Sequence, residues 1–375
     1  MASLAWRNLF HDKVRFAVTL TGVVFAIVLI VVQLGLFIGF TTTTSNVIDH
    51  SNADLWVVSK GVQYFDAGVP VSERKLYQVM STPGIIKAEK YIVRFSRWKR
   101  PDGAEENVIV IGFNPDTSMG GPWNLTVGHV KDLKAADTVF IDEFYREKLG
   151  VTHLGQVVEI NGYRARIVGY TRGIRSFTTS PFIFTSFKNA LNYGRLINED
   201  QTIYIMAKAA AGADLAKLKR QLSARVTNVD IFTTAEFSRS TQFYWMLTTG
   251  AGIAVLIAAL MGLIVGVVVV AQTIYATTMD HLREFGTLKA MGAPNGYIYR
   301  VIIKQAIMSA IIGYAVGMAI SAVVIRISQK GGAAIRMPWP MAVAMFGLTL
   351  AMCIGASIVS IKKVTTIDPA MVFKG

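Results

Sequence analysis

Long uncharged runs divide this chain. A transmembrane helix needs about 20 mostly apolar residues, and runs of at least that length without Asp, Glu, Lys or Arg cover residues 16–40, 243–279, 306–325 and 337–361. They predict four membrane-spanning helices, the second of them long. The first run exceeds the apolar core of about 7–15 residues in a signal peptide, so we interpret it as a retained anchor rather than a cleaved leader.

Between the first two runs, residues 41–242 alternate between strand-like and helix-like patterns. Period-2 alternation predicts strands and period-3.6 alternation predicts helices. The predicted order is strand 53–59, helix 72–80, strands 85–98 and 107–113, then strand 202–208, helix 214–226 and strand 230–233. These groups predict one α+β sandwich of ferredoxin-like kind. We expect a mainly β insert at about 114–200, with strands 157–160 and 164–170 beside the turn at Asn161 and Gly162.

Basic residues predict the orientation, because Lys and Arg favour the cytoplasmic ends of spans. Ten lie in the short segments 1–15, 280–305 and 362–375, and three lie in the loop 326–336. We therefore expect a cytoplasmic N-terminal segment, a cytoplasmic loop leading into the third helix and a cytoplasmic tail. The domain at 41–242 and the short loop are expected outside.

Composition agrees with a membrane protein and excludes other classes. Hydrophobic residues make up 52% of the chain, charged residues 17%, and the mean hydropathy is +0.43. The net charge of +14 does not indicate nucleic-acid binding, because the outer domain has 25 Lys and Arg against 20 Asp and Glu and the remainder flanks the spans. Basic flanks are explained by topology and anionic lipid. Cys353 is the single cysteine, so no internal disulfide is possible.

Catalytic and metal-binding patterns are absent from the sequence. The five histidines are scattered without metal-ligand spacing, and no Gly-Lys dipeptide occurs, which excludes a phosphate-binding loop. We nominate no catalytic or metal-ligating residue, and any ATP and Mg must be bound by another chain. The uncharged span interiors disfavour a proton-coupled carrier or ion channel. Arg172, Arg175 and Lys188 with Phe177, Phe182 and Phe184 suggest a basic-aromatic surface, although alternating phenylalanines are more typical of a buried strand.

Small residues recur at four-residue intervals in the spans, a spacing that lets helix backbones approach closely. The glycines concerned are Gly35, Gly39, Gly262, Gly266, Gly313, Gly317, Gly347 and Gly355. Packing within the chain is the simpler interpretation of any one pair. Because four spans enclose little volume, we also expect a homodimer.

The loop after the second run is the most informative segment. Leu282, Phe285, Leu288 and Met291 recur at three-residue steps and predict an amphipathic helix. Gly292 then favours the helix end. Such a helix either lies on the lipid surface or binds a partner.

The residues from Arg283 to Ala293 resemble the coupling loop of the FtsX/MacB-like permeases of ABC transporters, in the pattern R-E-x-G-x-L-K-A-M-G-A. The order of one span, a large outer domain and three spans is similar to that family, and stretches of the outer domain resemble the DevC-type exporter permeases. This resemblance extends over nearly the full length.

The resemblance implies a homodimeric permease in the bacterial inner membrane, driven by a cytoplasmic ABC ATPase that binds ATP and Mg. The residues that would dock the ATPase or shape the loop are Leu282, Arg283, Glu284, Phe285, Gly286, Leu288, Lys289, Ala290, Met291, Gly292 and Ala293. It also implies a periplasmic adaptor, a TolC-like outer-membrane channel and an amphiphilic or hydrophobic cargo. An FtsX-like signalling complex acting on a cell-wall hydrolase and a lipoprotein-releasing permease are the alternatives.

Overall fold

A computed structural model describes residues 13–178, 180–195, 200–280, 287, 291, 294–330 and 335–365. The chain forms two compact units. Phe40–Ala251 is the outer unit, and the segments before residue 40 and after residue 251 form the membrane unit.

Four helices of the described membrane unit are long and apolar enough to cross a bilayer. We label them α1, α7, α8 and α9, because five shorter helices lie between α1 and α7. Their bounds are Lys13–Thr44 for α1, Ala251–Asp280 for α7, Asn295–Lys330 for α8 and Trp339–Thr365 for α9. At about 1.5 Å per residue, the 30 residues of α7 span about 45 Å, more than the hydrocarbon core of about 30 Å.

The second uncharged run is not one transmembrane helix. The predicted start at residue 243 is corrected to Ala251. The helix is interrupted at Gly250, which has a left-handed φ of +76°. The preceding apolar residues, Tyr244–Thr248, form a π-helical turn that belongs to the outer unit. The absence of charged residues identifies the run, but it does not identify the residue at which the membrane helix begins.

Helix α1 forms much of the membrane unit's core. Val23, Ala26 and Ile27 are at most 1% exposed, and glycines of α7 and α8 lie against them. A Cβ added at Gly266 would lie 2.5 Å from Ala26 Cβ, and one added at Gly317 would lie 2.9 Å from Ile27 Cγ2. These glycines pack helices within one chain.

Apart from Gly39, for which the packing prediction remains untested, the remaining predicted glycines divide into two groups. Gly262 meets Leu29, Gly313 meets Val23, and Gly35 meets Ile335 beyond the end of α8. By contrast, no described atom lies within 4 Å of a Cβ added at Gly347 or Gly355 on α9. Gly347 and Gly355 therefore make no close helix contact with the described residues.

The outer unit contains the predicted ferredoxin-like half. Its strands are β1 at Leu55–Ser59, β3 at Ile85–Lys99, β11 at Tyr204–Ala209 and β12 at Val229–Thr233. They pair in the order β12-β1-β11-β3 and are all antiparallel. Helices α3 (Arg74–Met80) and α5 (Leu215–Arg225) connect them. Helix α3 begins two residues after the predicted Ser72, which instead lies in the short strand β2, Val71–Ser72.

Strand β3 extends from this half into the insert. Its first part pairs with β11 as far as Tyr91, and its second part pairs with β4 (Glu105–Phe113) from Ile92 onward. Strand β4 therefore belongs with the insert, which begins before the predicted residue 114. The start of the insert could not be predicted from the local sequence pattern, because strand pairing depends on residues that are far apart in the chain.

The insert is mainly β, as expected. Its other strands are β5 at Leu125–Val127, β6 at Thr138–Asp142, β7 at Val157–Ile160, β8 at Tyr163–Thr171 and β9 at Phe182–Ser186. Helix α4, Phe187–Tyr193, packs on β4. The two-residue strand β10, Gln201–Thr202, pairs with β2.

Alternate residues of β1 face two different hydrophobic cores of the outer unit. Leu55 and Val57 pack with residues of α3 and α5 on one face. On the other face Trp56 is fully buried among aromatic rings, including Tyr91 and Phe237, with ring centroids 5.6 and 5.4 Å away. This second core continues into the insert, so the two halves of the outer unit share one hydrophobic interior.

Candidate functional site

The predicted coupling loop connects the end of α7 at Asp280 with the start of α8 at Asn295. Thr287 and Met291 are described. The Met291 N–H donates to the Thr287 carbonyl oxygen across 3.0 Å, and the Met291 side chain is 71% exposed. The other nominated residues lie outside the described part of the chain: Leu282, Arg283, Glu284, Phe285, Gly286, Leu288, Lys289, Ala290, Gly292 and Ala293.

Within the outer unit, the segment that continues from α1 contacts the segment that precedes α7. One is the last turn of α1 with the short helix α2, Asn46–Asp49. The other is α6, Thr234–Phe243, which continues into the π-helical turn. We call this region the junction, defined by residues 40–49, 64–66, 177 and 234–248.

Polar contacts join the two segments of the junction. The Gln242 side-chain amide donates to Ser45 Oγ across 2.8 Å, and the Thr41 hydroxyl donates to Met246 Sδ across 3.2 Å. Ser45 is fully buried and Met246 is 6% exposed. Displacement of either segment within the outer unit therefore breaks contacts with the other.

Helix α6 starts at a defined residue because of its cap. The Thr233 hydroxyl accepts a hydrogen bond from the Glu236 N–H, and the Glu236 carboxylate accepts one from the Thr233 N–H. This capping box satisfies two N–H groups that a helix start otherwise leaves unpaired. The cap holds the start of α6 directly after strand β12.

An aromatic bridge passes through Phe177 of the insert. Its ring centroid lies 5.2 Å from that of Phe40 at the end of α1 and 4.3 Å from that of Trp245 in the π-helical turn. Tyr64 continues the bridge by stacking on Tyr244 with ring centroids 3.7 Å apart. Aromatic pairs contribute about 0.5–1.5 kcal/mol beyond their buried area. Phe177 thus ties the insert to both segments of the junction.

A carboxylate lies beside this bridge. The Trp245 Nε1–H donates to Asp66 Oδ2 across 3.2 Å. Burial raises the pKa of Asp66 to about 6, although the hydrogen bond from Trp245 opposes this shift. The sequence offered no signal for Asp66, because its partner is 179 residues away along the chain.

The suggested basic-aromatic surface does not form. Phe182 and Phe184 are buried in β9, and Phe184 packs edge-to-face on Phe113 with centroids 6.5 Å apart. Arg172 forms an ion pair with Glu143 at 2.9 Å. The buried-strand interpretation of these phenylalanines is therefore correct, and among the six residues Phe177 enters the junction.

No group of three or more His, Cys, Asp or Glu within the described residues is arranged to hold a metal ion. The junction combines aromatic, hydroxyl, amide and carboxyl groups, and the Ser45 hydroxyl donates to the Asp49 carboxylate across 2.8 Å.

Comparison with known proteins assigns both units of the chain. The profile of the MacB-like periplasmic core domain matches residues 16–225, and that of the FtsX-like permease C-terminal domain matches residues 256–369. Uncharacterized ABC transporter permeases of Mycobacterium bovis and Mycobacterium tuberculosis are each 24% identical over 376 residues. These alignments cover 100% of this chain and 98% of each relative.

Two solved structures are similar to about half of this chain at lower identity. The periplasmic region of MacB from Actinobacillus actinomycetemcomitans has 10% identity and a TM-score of 0.40, covering 51% of this chain and 92% of that one. The extracellular domain of the noncanonical ABC-type transporter YknZ from Gram-positive bacteria has 12% identity and a TM-score of 0.35, covering 48% of this chain and 98% of that one.

Proposed function

Because this chain belongs to the FtsX/MacB-like family of ABC transporter permeases, we propose that it transmits the work of a separate cytoplasmic ATPase to its outer unit and so drives export of an amphiphilic substrate. The permease carries no phosphate-binding loop, which supports binding of ATP and Mg by the partner. The observation that carries the proposal is the junction, where the segments leading to α1 and α7 contact each other and the insert.

On the cytoplasmic side, the loop from Arg283 to Ala293 docks the ATPase. Closure of the ATPase on ATP moves this loop, and α7 and α8 carry the movement because each begins or ends at the loop. Leu282, Phe285, Leu288 and Met291 provide the apolar contact. The exposed side chain of Met291 supports this role.

On the outer side, the movement reaches the outer unit through the junction. Displacement of one segment acts on the other through the Gln242–Ser45 and Thr41–Met246 contacts. Phe177 passes the displacement to the insert. In this mechanism the outer unit acts on cargo that enters from the periplasmic side, and no charge relay through the membrane is needed.

The assembly that we propose contains two permeases and two ATPases, with a periplasmic adaptor and a TolC-like outer-membrane channel. The exposed small-residue face of α9 leaves room for contact between permeases. The chain is placed in the inner membrane with both termini in the cytoplasm, as the distribution of Lys and Arg suggests.

The test is purification of the full chain from native membranes after crosslinking, with identification of the proteins that stay bound. We expect an ABC ATPase and a periplasmic adaptor. Recovery of the ATPase with a cell-wall hydrolase would replace export by signalling, and recovery with lipoproteins would replace it by lipoprotein release. Recovery of the chain alone would overturn the proposal.

A further inference from the structure

An apolar groove of about 700 Å³ runs along α1 in the membrane unit. From α1 it is lined by Val14, Ala17, Val18, Thr21 and Phe25, and from α7 by Val269. The two helices touch beside it, because Gly22 of α1 has no side chain to hold Val269 away. The groove is therefore formed by the packing of two neighbouring spans.

The groove follows the face of α1 that the membrane unit leaves uncovered. Val14, Val18 and Phe25 are 74%, 55% and 56% exposed, although all three are large and apolar. Residues four apart lie on one helix face. The opposite face is closed, since Val23 and Ala26 are fully buried against other helices.

Among the described residues that line the groove, Lys13 is the charged one. It lines one end of the groove and has an exposed side chain, and the first turn of α1 contains no acidic residue. The one hydroxyl in the groove is already satisfied, because Thr21 Oγ1 donates to the Ala17 carbonyl oxygen across 2.8 Å. The groove thus offers a cation at its end and an apolar wall along its length.

Its dimensions fit one lipid chain. The 12 steps along the helix from Lys13 to Phe25 correspond to about 18 Å, and one leaflet contributes about 15 Å to the hydrocarbon core. We propose that this groove binds one anionic phospholipid, with an acyl chain along Val14, Val18 and Phe25 and the phosphate at Lys13. None of these residues belongs to the ATPase loop or to the junction.

A second copy of the chain fits the groove less well. A twofold axis along the membrane normal places identical residues of both copies at the same depth. Contact through this face would bring Lys13 of each copy together, and these like charges repel each other. The phosphate of an anionic phospholipid, by contrast, neutralises the positive charge of Lys13 at this end of the groove.

The test places a photo-crosslinking amino acid at Val18 in the full-length protein within native membranes that contain phosphatidylglycerol and phosphatidylethanolamine. Mass spectrometry then identifies what is attached. We expect adducts enriched in phosphatidylglycerol over its membrane fraction. Position 358 on α9, where Ile358 is 59% exposed, outside the groove and near the cytoplasmic end of its helix, is the control and should show no such enrichment.

Substitutions at Lys13 test the charged end. A Lys or Arg near the surface contributes enough to anionic-lipid binding to change occupancy about five-fold. Lys13→Gln should lower the enrichment by about that factor, and Lys13→Arg should retain it. A crosslinked pair of permeases, a crosslink to residues 1–12, or phospholipid adducts in simple proportion to membrane composition in all variants would each overturn the proposal.

Discussion

The indole N–H of Trp245 donates to the carboxylate of Asp66 across 3.2 Å, linking the π-helical turn before α7 to a loop of the ferredoxin-like half. This bond makes the junction sensitive to protonation. Asp66 contributes an acceptor in either protonation state, but its charge is costly in a partly buried position.

We expect Asp66→Asn to change how stability depends on pH. Burial raises the pKa of Asp66 from 3.8 to about 6. The folded state therefore holds the proton more tightly than the unfolded chain, and the resulting stabilisation, complete below about pH 4, is lost as pH rises through about 6. The neutral amide retains an acceptor for Trp245. At pH 8 it should raise the free energy of unfolding by about 1–2 kcal/mol, a value reduced for partial exposure.

Thermal unfolding of the purified full chain between pH 4 and pH 8 measures this effect. The variant should unfold at a higher temperature than the wild type at pH 8 and at a similar temperature at pH 4. Glu147→Gln, at an exposed position of the outer unit, is the control and should leave the pH profile unchanged. A parallel profile for Asp66→Asn and wild type would refute the role of this carboxyl group.

Phe177→Ala should disconnect the insert from the junction. The substitution removes contacts to Phe40 and Trp245, and the loss of aromatic pairing costs about 1–2 kcal/mol. We expect a fall of a few degrees in the unfolding temperature, with ATP hydrolysis retained and substrate export lost. Phe95→Ala, at a 52% exposed position of β3, is the matched control. Export at the wild-type rate by Phe177→Ala would remove Phe177 from the transmission route.

Gly266→Leu and Gly347→Leu should have different effects although both replace a glycine in a span. At Gly266 the added side chain meets Ala26 and Met352, whose nearest atoms lie 2.5 and 3.0 Å from a new Cβ. Overpacking of this kind costs about 1–3 kcal/mol. At Gly347 the space is open, and Leu is the better helix former by about 1 kcal/mol. Unfolding temperatures in detergent should separate the two variants, and equal destabilisation would contradict this assignment of the glycines.

The coupling loop is tested by charge reversal and steric block. Glu284→Lys and Gly292→Trp should leave the permease folded in the membrane and abolish the stimulation of its partner ATPase. Glu147→Lys, an exposed position of the outer unit, provides the same charge change away from the loop. ATP turnover of the assembled complex is the measurement. Unchanged turnover in both loop variants would exclude the loop as the coupling element.

The sequence predicted those elements whose signal is local. Length and absence of charge were enough to predict helices over all four runs, and alternation predicted strands such as Val157–Ile160. The outer end of α7 was misplaced because Tyr244–Thr248 is as uncharged as a span, so the conformation of Gly250 and not hydropathy marks the boundary.

The junction could not be predicted in the same way. Phe40, Asp66, Phe177 and Trp245 come from four separate parts of the chain, and each looks ordinary in its local pattern. The sequence groups Phe177 with Arg172 and Arg175, whereas in the fold its ring packs against Phe40 and Trp245. Packing between distant parts of the chain brings these residues together, and the pattern of a single sequence does not predict it.

The two connections between span and outer unit have unequal stiffness. Helix α1 is helical from Lys13 to Thr44, whereas the other connection has a π-helical turn followed by left-handed Gly250 before α7 starts. If the two spans moved by equal distances along their axes, the outer unit would therefore receive different movements from them. The first connection is a continuous helix, and the second is interrupted before α7. The left-handed residue Gly250 therefore gives the second connection a point of bending that the continuous helix of the first connection lacks.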